Sequence, residues 1–247
     1  MKKIARMAVL ILLTAANYSF GQTSEIIDHG LIEYEKQVNN FPQLKNILLN
    51  NGDFDQYVRR NPQFEIFTFN LHFSGDRSLY ISGREKETEN IISKLTANNS
   101  FYMDLRQRSY TGYKEVFEQS FIVKDTIRPI KWKITNEKRD ILGFECRRAN
   151  AVILDSVFVV AFYTTQISTC GGPESFNGLP GMILQVSLPH EHISWVARRV
   201  SQTVDKNLIQ APHKGMIVNY DLYKKKLSDV LQPMGRPGQL ILKDLLL

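Results

Sequence analysis

The sequence predicts a mainly β, antiparallel domain with a few helices, an α+β fold class. Three observations carry this. Several short segments alternate apolar and polar residues with a period of two, clearest in Phe67, Phe69, Leu71 and Phe73 against Thr68, Asn70 and His72. Short polar turns join the segments, the pattern of a meander and not of βαβ crossovers. The run Val157–Tyr163 is apolar on both faces, which places a strand centrally in a covered sheet.

Taken in order, Ile32, Tyr34 and Val38 alternate with Glu33, Glu35 and Gln37, a half-buried first strand. Leu44, Ile47, Leu48, Phe54, Tyr57 and Val58 recur at helical spacing, so residues 41–60 read as a helical hairpin insertion turning at Asn51-Gly52-Asp53. Strands over 63–73 and 78–81 form a hairpin about Ser74–Arg77. Residues 83–99 are charged, a short surface helix or a loop. Strands follow over 101–107, 110–115, 117–124 and 131–135, then a polar turn at Asn136–Asp140. Two more, 143–154 and 157–165, pair about Asp155-Ser156, and residues 194–203 form a further strand. Tyr220, Tyr223, Leu227 and Val230 share one helical face, giving a C-terminal helix over about 219–231 capped by Asn219 or Asp221. Residues 232–239 read as a loop. The tail Leu245-Leu246-Leu247 reads as a docked edge element or a partner contact.

The chain of 247 residues fits one domain behind an export signal. Lys2, Lys3 and Arg6 precede an apolar run, Met7–Ala16, too short to span a bilayer, and Ser19 and Gly21 are the small residues before a cut. Residues 1–21 are thus expected to be a signal peptide and 22–247 a single periplasmic or secreted domain that does not span the membrane after cleavage. Cleavage would remove three of the 31 basic residues and none of the 25 acidic, leaving +3 in place of +6. With the remaining charges scattered, a nucleic-acid partner is not expected.

The stretch Cys170–Trp195 concentrates bends. Gly172-Pro173 makes one. Gly178, Leu179, Pro180 and Gly181 make a second, with Pro at i+1 and Gly at i+2 as a type II turn requires. The bends either form a corner of the sheet or hold the loop Glu174–Asn177 against a ligand or partner.

Here a resemblance enters. GPESFNGLPGMIL resembles the signature of the GLPGLI family, exported proteins of Gram-negative bacteria whose biochemical function is not established. Trp132 through Ala149 is similar to the family's "W-x-I … I-x-G-Y-x-C-x-K-A" strand pair, and Asp155–Thr164 and His192–Ala197 resemble its next elements. The match covers about residues 110–200. Met182 stands where the family name has Leu, and Phe162 where many members have Trp. The resemblance implies a curled antiparallel sheet or half-barrel packed on a helix, similar to periplasmic lipoprotein-carrier folds.

Two cysteines in an exported chain suggest one disulfide, Cys146–Cys170. A competing arrangement uses them as metal ligands: His190 and His192 present two imidazoles from one turn, and with Cys146, Cys170 or Met182 they would suit copper or zinc. No G-x-S-x-G, H-E-x-x-H, P-loop or dinucleotide fingerprint occurs, so no catalytic residue is assigned. The expected function is a non-enzymatic periplasmic binding or carrier protein, requiring no cofactor, with a groove for a small apolar or peptide ligand and Trp132 and Trp195 at its rim. The alternatives are a copper- or zinc-binding envelope protein and an accessory partner of an outer-membrane complex.

Overall fold

The computed structural model describes residues 26–45, 47–48, 51–84 and 87–247. The signal-peptide expectation falls outside them. Twelve strands form one sheet: β1 (His29–Asn39), β2 (Phe64–Ser74), β3 (Arg77–Ser82), β4 (Ser100–Asp104), β5 (Ser109–Val116), β6 (Gln119–Thr126), β7 (Lys133–Ile141), β8 (Phe144–Ile153), β9 (Val157–Thr164), β10 (Met182–Leu188), β11 (Ile193–Ser201) and β12 (Met216–Val218). The helices are α1 (Asn40–Lys45), α2 (Asn51–Arg60), α3 (Ile91–Thr96), α4 (Tyr220–Leu231) and α5 (Arg236–Leu245).

The strand order is β12-β6-β5-β4-β3-β2-β1-β11-β10-β9-β8-β7. Two antiparallel meanders, β1 to β6 and β7 to β11, meet where β1 pairs with β11. Short β12 adds in parallel, on β6. This order forces curvature. Were the sheet flat, β6 and β7 would stand about 48 Å apart at roughly 4.8 Å per strand. Yet only residues 127–132 connect them, a tether that reaches about 25 Å when fully extended. The sheet must therefore curl until its two ends approach, and the tether becomes a strap across the opening.

Alternation fills the interior. Ile32, Tyr34, Lys36 and Val38 on β1 point inward with Phe67, Phe69, Leu71 and Phe73 on β2. The Tyr34 hydroxyl donates to the Ile183 carbonyl of β10 at 2.6 Å, tying the two meanders across the curl. A second apolar cluster joins Val116, Phe121 and Val123 to Tyr223, Leu227 and Leu231 of α4 and Ile241 and Leu245 of α5. The sheet is thus mixed and open, with its few helices packed against it.

Several expectations need correction. Asn136–Asp140 is not a turn: β7 runs through it, and the chain reverses at Leu142 and Gly143, both at positive φ. As an edge strand with one neighbour, β7 is exposed along nearly its whole length, so it carries no apolar alternation to read. Asn51-Gly52-Asp53 begins α2 and does not form a turn, and Asp53 lies in the first turn, where the helix dipole favours a carboxylate. Residues 232–239 are not a loop throughout. A 3-10 turn, Gln232–Met234, ends at Gly235 (φ 62°), and α5 follows with Pro237 in its first turn, where a missing N–H costs nothing. The leucine tail is no exposed partner contact, because Leu245, Leu246 and Leu247 are all buried.

Candidate functional site

Strands β9 and β10 are neighbours, but residues 165–181 between them do not turn back directly. Ile167 bridges to Ile27, and Thr169 Oγ1 donates to the Gly75 carbonyl at 2.8 Å. The chain then passes along the interior before Met182 rejoins Thr164. A long buried loop must satisfy its backbone. Ile183 N–H donates to Gly171 O at 2.9 Å and Met182 N–H to Ile167 O at 3.2 Å. Gly172 is needed for space, since a Cβ there would stand 2.9 Å from the Ile183 Cβ. The expected type II turn is not formed. Gly181 N–H bonds Leu179 O at 2.8 Å, a three-residue turn about Pro180, and Met182 N–H goes elsewhere. The glycine requirement survives the correction, with Gly178 at φ 87° and Gly181 at φ 142°.

The loop Glu174–Asn177 therefore faces inward, held by each residue. Glu174 Oε1 accepts from Lys36 Nζ at 3.0 Å, both side chains nearly buried. Ser175 Oγ donates to Leu247 O at 3.2 Å. Phe176 meets Trp195 edge-on at 5.8 Å. Asn177 O accepts from Trp132 Nε1 at 2.8 Å. Trp132, half-buried, thus clamps the loop. Trp195 is not at a rim but inside the core at 1% exposure, with Lys36 Nζ 5.0 Å from its ring centroid.

The metal and disulfide arrangements do not assemble in this fold. Cys146 and Cys170 are both free thiols. Cys146 is sealed on the covered face of β8, where burial pushes its thiol up to about 12, while the Cys170 thiol lies against Ser168 O at 3.6 Å. Met182 is fully buried on β10, whereas His190 and His192 are exposed in the β10–β11 turn, with His192 at φ 59°. Among the described residues no three His, Cys, Asp or Glu side chains converge. Two His two apart in sequence promise a shared ligand only in extended backbone, and this turn is not extended.

What the fold does assemble is a cavity of about 400 Å³ under the strap, at the mouth of the curl. Ile127–Lys131 form one side and Val152–Asp155, at the β8–β9 turn, another. Ser175–Asn177 of the inward loop and Leu246–Leu247 of the tail close it, and Tyr110 of β5 and Tyr220 of α4 complete the wall. Leu154 and Asp155 both adopt positive φ (47° and 63°), a tight reversal that sets the β8–β9 end against the opening. The walls are mostly apolar with a few polar groups, the composition of small-ligand sites.

The polar groups have distinct states. Asp125 accepts from Tyr220 N–H at 3.0 Å and from Thr126 N–H at 2.7 Å. The Tyr220 N–H bond holds its carboxyl below the usual carboxylate value. Arg128 stacks over the Tyr220 ring at 3.9 Å. Burial pushes the Tyr110 phenol upward, so it is a neutral hydroxyl at physiological pH.

Near the Lys36–Glu174 pair lies a polar group that sequence reasoning missed. Lys114 Nζ donates to Leu245 O at 2.9 Å and sits 5.3 Å from the Phe101 ring centroid, and burial pulls its ammonium down to about 8. Asp244 accepts from Gln43 Nε2 at 3.1 Å, and burial, with Glu191 nearby, lifts its carboxyl to about 7. The sign follows directly. The folded chain keeps the Asp244 proton up to about pH 7, whereas the unfolded chain releases it near 3.8. This contribution is fully present below 3.8 and is lost as pH rises towards 7. Asp244→Asn keeps an acceptor for Gln43 and removes the titration. Wild type is therefore expected to lose about 1–3 kcal/mol relative to the variant between pH 5 and pH 7.5 in parallel urea unfolding experiments. A constant difference across that range would refute the assignment.

Residues 151–185 match the model of a family described as a protein of unknown function, Porph_ging. That span runs from β8 through β9 and the inward loop into β10. No curated protein matches the chain. Among solved structures, PNGF-II in its C2 crystal form is similar at 14% identity and a TM-score of 0.53, over 80% of this chain and 32% of that one. The P21 form gives 14% identity and 0.52, over 81% and 33%. The chain spans about a third of the length of these two structures. At such identity the likeness is one of fold. No helix among the described residues is long and apolar enough to cross a membrane.

Proposed function

We propose that this chain is an exported, non-enzymatic binding protein whose ligand occupies the cavity under the strap. The observation that carries the reading is the cavity itself: about 400 Å³, largely apolar, and walled by the inward loop that holds the GPESFNGLPGMIL motif. That volume falls within the usual range for drug-sized ligands, about 300–1,000 Å³. The GLPGLI reading is supported by the family match, which spans that motif. The carrier-like reading is supported by the sheet's curl around its own helices and tail. Export remains the reading of the basic, apolar and small-residue pattern of residues 1–21.

The test uses the environment-sensitive apolar dye 1-N-phenylnaphthylamine. It should brighten on the wild-type protein. Val152, an exposed β8 residue on the cavity wall, is changed to Trp, which suits a strand and takes up cavity space. Dye affinity should fall at least about tenfold with an unchanged melting temperature. Saturable binding equal in Val152→Trp and wild type would sink the proposal.

A further inference from the structure

The cavity holds an unpaired cationic group, and this suggests what part of a ligand goes where. Arg128 lies in the middle of the strap and lines the cavity. Its guanidinium is solvent-exposed, stacks on Tyr220 and lies close enough to Asp125 to act on its carboxylate, but no salt bridge or hydrogen bond joins it to a described residue. That stack fixes the plane of the guanidinium and leaves its N–H fork open, the arrangement suited to a carboxylate. Lys131, three residues along the strap, is exposed and lines the same cavity, with no ion pair to a described residue. The acids nearby do not fill this role. Asp125 gives its oxygens to the N–H groups of Tyr220 and Thr126 and feels the Arg128 charge without a direct bond to it. Tyr110 is also on the wall, and its hydroxyl remains a neutral donor. Opposite these groups the wall is apolar, formed by Val152, Ile153, Leu154, Leu246 and Leu247.

We propose that the cavity binds single-chain amphiphilic carboxylates, of the fatty-acid class, with the head group on Arg128 and the chain against the β8–β9 end and the leucine tail. This rests on the binding reading above and specifies its ligand. A neutral chain would form no charge-assisted hydrogen bond with the guanidinium, and an amine would bring a further cation to Arg128 and Lys131.

Dodecanoate, dodecanol and dodecylamine, each below its micellar concentration, are titrated into the full chain and followed by calorimetry and by displacement of the dye. Dodecanoate should bind at least about tenfold tighter than the other two, as a charge-assisted hydrogen bond implies. Arg128→Met keeps the stem on Tyr220 and removes the charge. It should erase the preference while leaving dodecanol affinity and melting temperature unchanged. Equal binding of acid and alcohol, tighter binding of the amine, or an unaltered preference in Arg128→Met overturns the head-group assignment. So does tighter binding of a tri-leucine peptide, which would make the ligand a peptide. In each of these cases dye binding still supports the cavity as a site. Failure of the dye together with all these probes removes both proposals.

Discussion

Gly181→Val is expected to cost about 4 kcal/mol of stability, from two separable effects. Gly181 sits at φ 142°, a conformation that a β-branched residue adopts only with strain of about 1–3 kcal/mol. A Cβ on Gly181 would also stand 2.0 Å from the Thr164 carbonyl oxygen and 2.8 Å from its carbon, both backbone atoms of β9. Relieving that contact means separating the β9 and β10 ends, an overpacking cost of about another 1–3 kcal/mol. Gly178→Ala is the control. Gly178 is also at positive φ, 87°, but a Cβ there meets nothing nearer than the Trp132 indole nitrogen at 3.8 Å. It should lose only the conformational part, about 1–2 kcal/mol. Urea unfolding of the two variants separates the effects. Equal losses would mean that Gly181 does not lie against Thr164.

The contrast between these glycines marks how far the sequence could be read. Gly and Pro at fixed spacing showed that a bend lies at Leu179–Gly181, and the need for glycine there holds. The turn type did not follow, because it depends on where the Met182 N–H goes, and its partner, Ile167 O, lies fifteen residues upstream on a buried loop. Strands with one covered face were plain in their alternation, as Phe67–Phe73 illustrates. Edge strand β7 was cut short because exposure on both sides removes that signal. The helix α5 was hidden behind two prolines and two glycines, yet Pro237 occupies a first-turn position and Gly238 packs where a Cβ would meet Leu231 O at 2.0 Å. The loop Glu174–Asn177 was legible as a candidate contact. Its partners were not: Lys36, Trp132 and Leu247 stand far from it in sequence, and only the curl brings them together. The His and Cys residues drew notice by type, but type alone does not bring side chains to one point.

The pair that ties the inward loop to the sheet gives the second large effect. Lys36→Met is expected to destabilise the chain by about 3–5 kcal/mol, because it leaves the Glu174 carboxylate without its partner in a nearly dry interior. Glu174→Leu should cost a similar amount, leaving Lys36 Nζ facing the Trp195 and Phe69 rings at 5.0 and 5.9 Å. Those rings stabilise a cation only in part, and Lys114, the other cation of this interior, already sits close enough for Glu174 to act on it. The double variant removes both charges and fills the same space with apolar side chains. Buried ion pairs replaced in this way are often neutral in stability. Lys36→Met/Glu174→Leu should therefore recover most of the loss, giving a coupling energy of about 2–4 kcal/mol in a double-mutant cycle. Near-additive losses would mean that the two residues do not form a buried pair. The same cycle bears on the cavity, since Glu174 directly precedes Ser175–Asn177 and fixes where they lie. If the pair acts as a strut, the double variant stays folded and binds dye as wild type does, whereas either single variant loses dye affinity along with stability. Dye affinity unchanged in both single variants, measured where they remain folded, would show that the strut stabilises the sheet without positioning the loop.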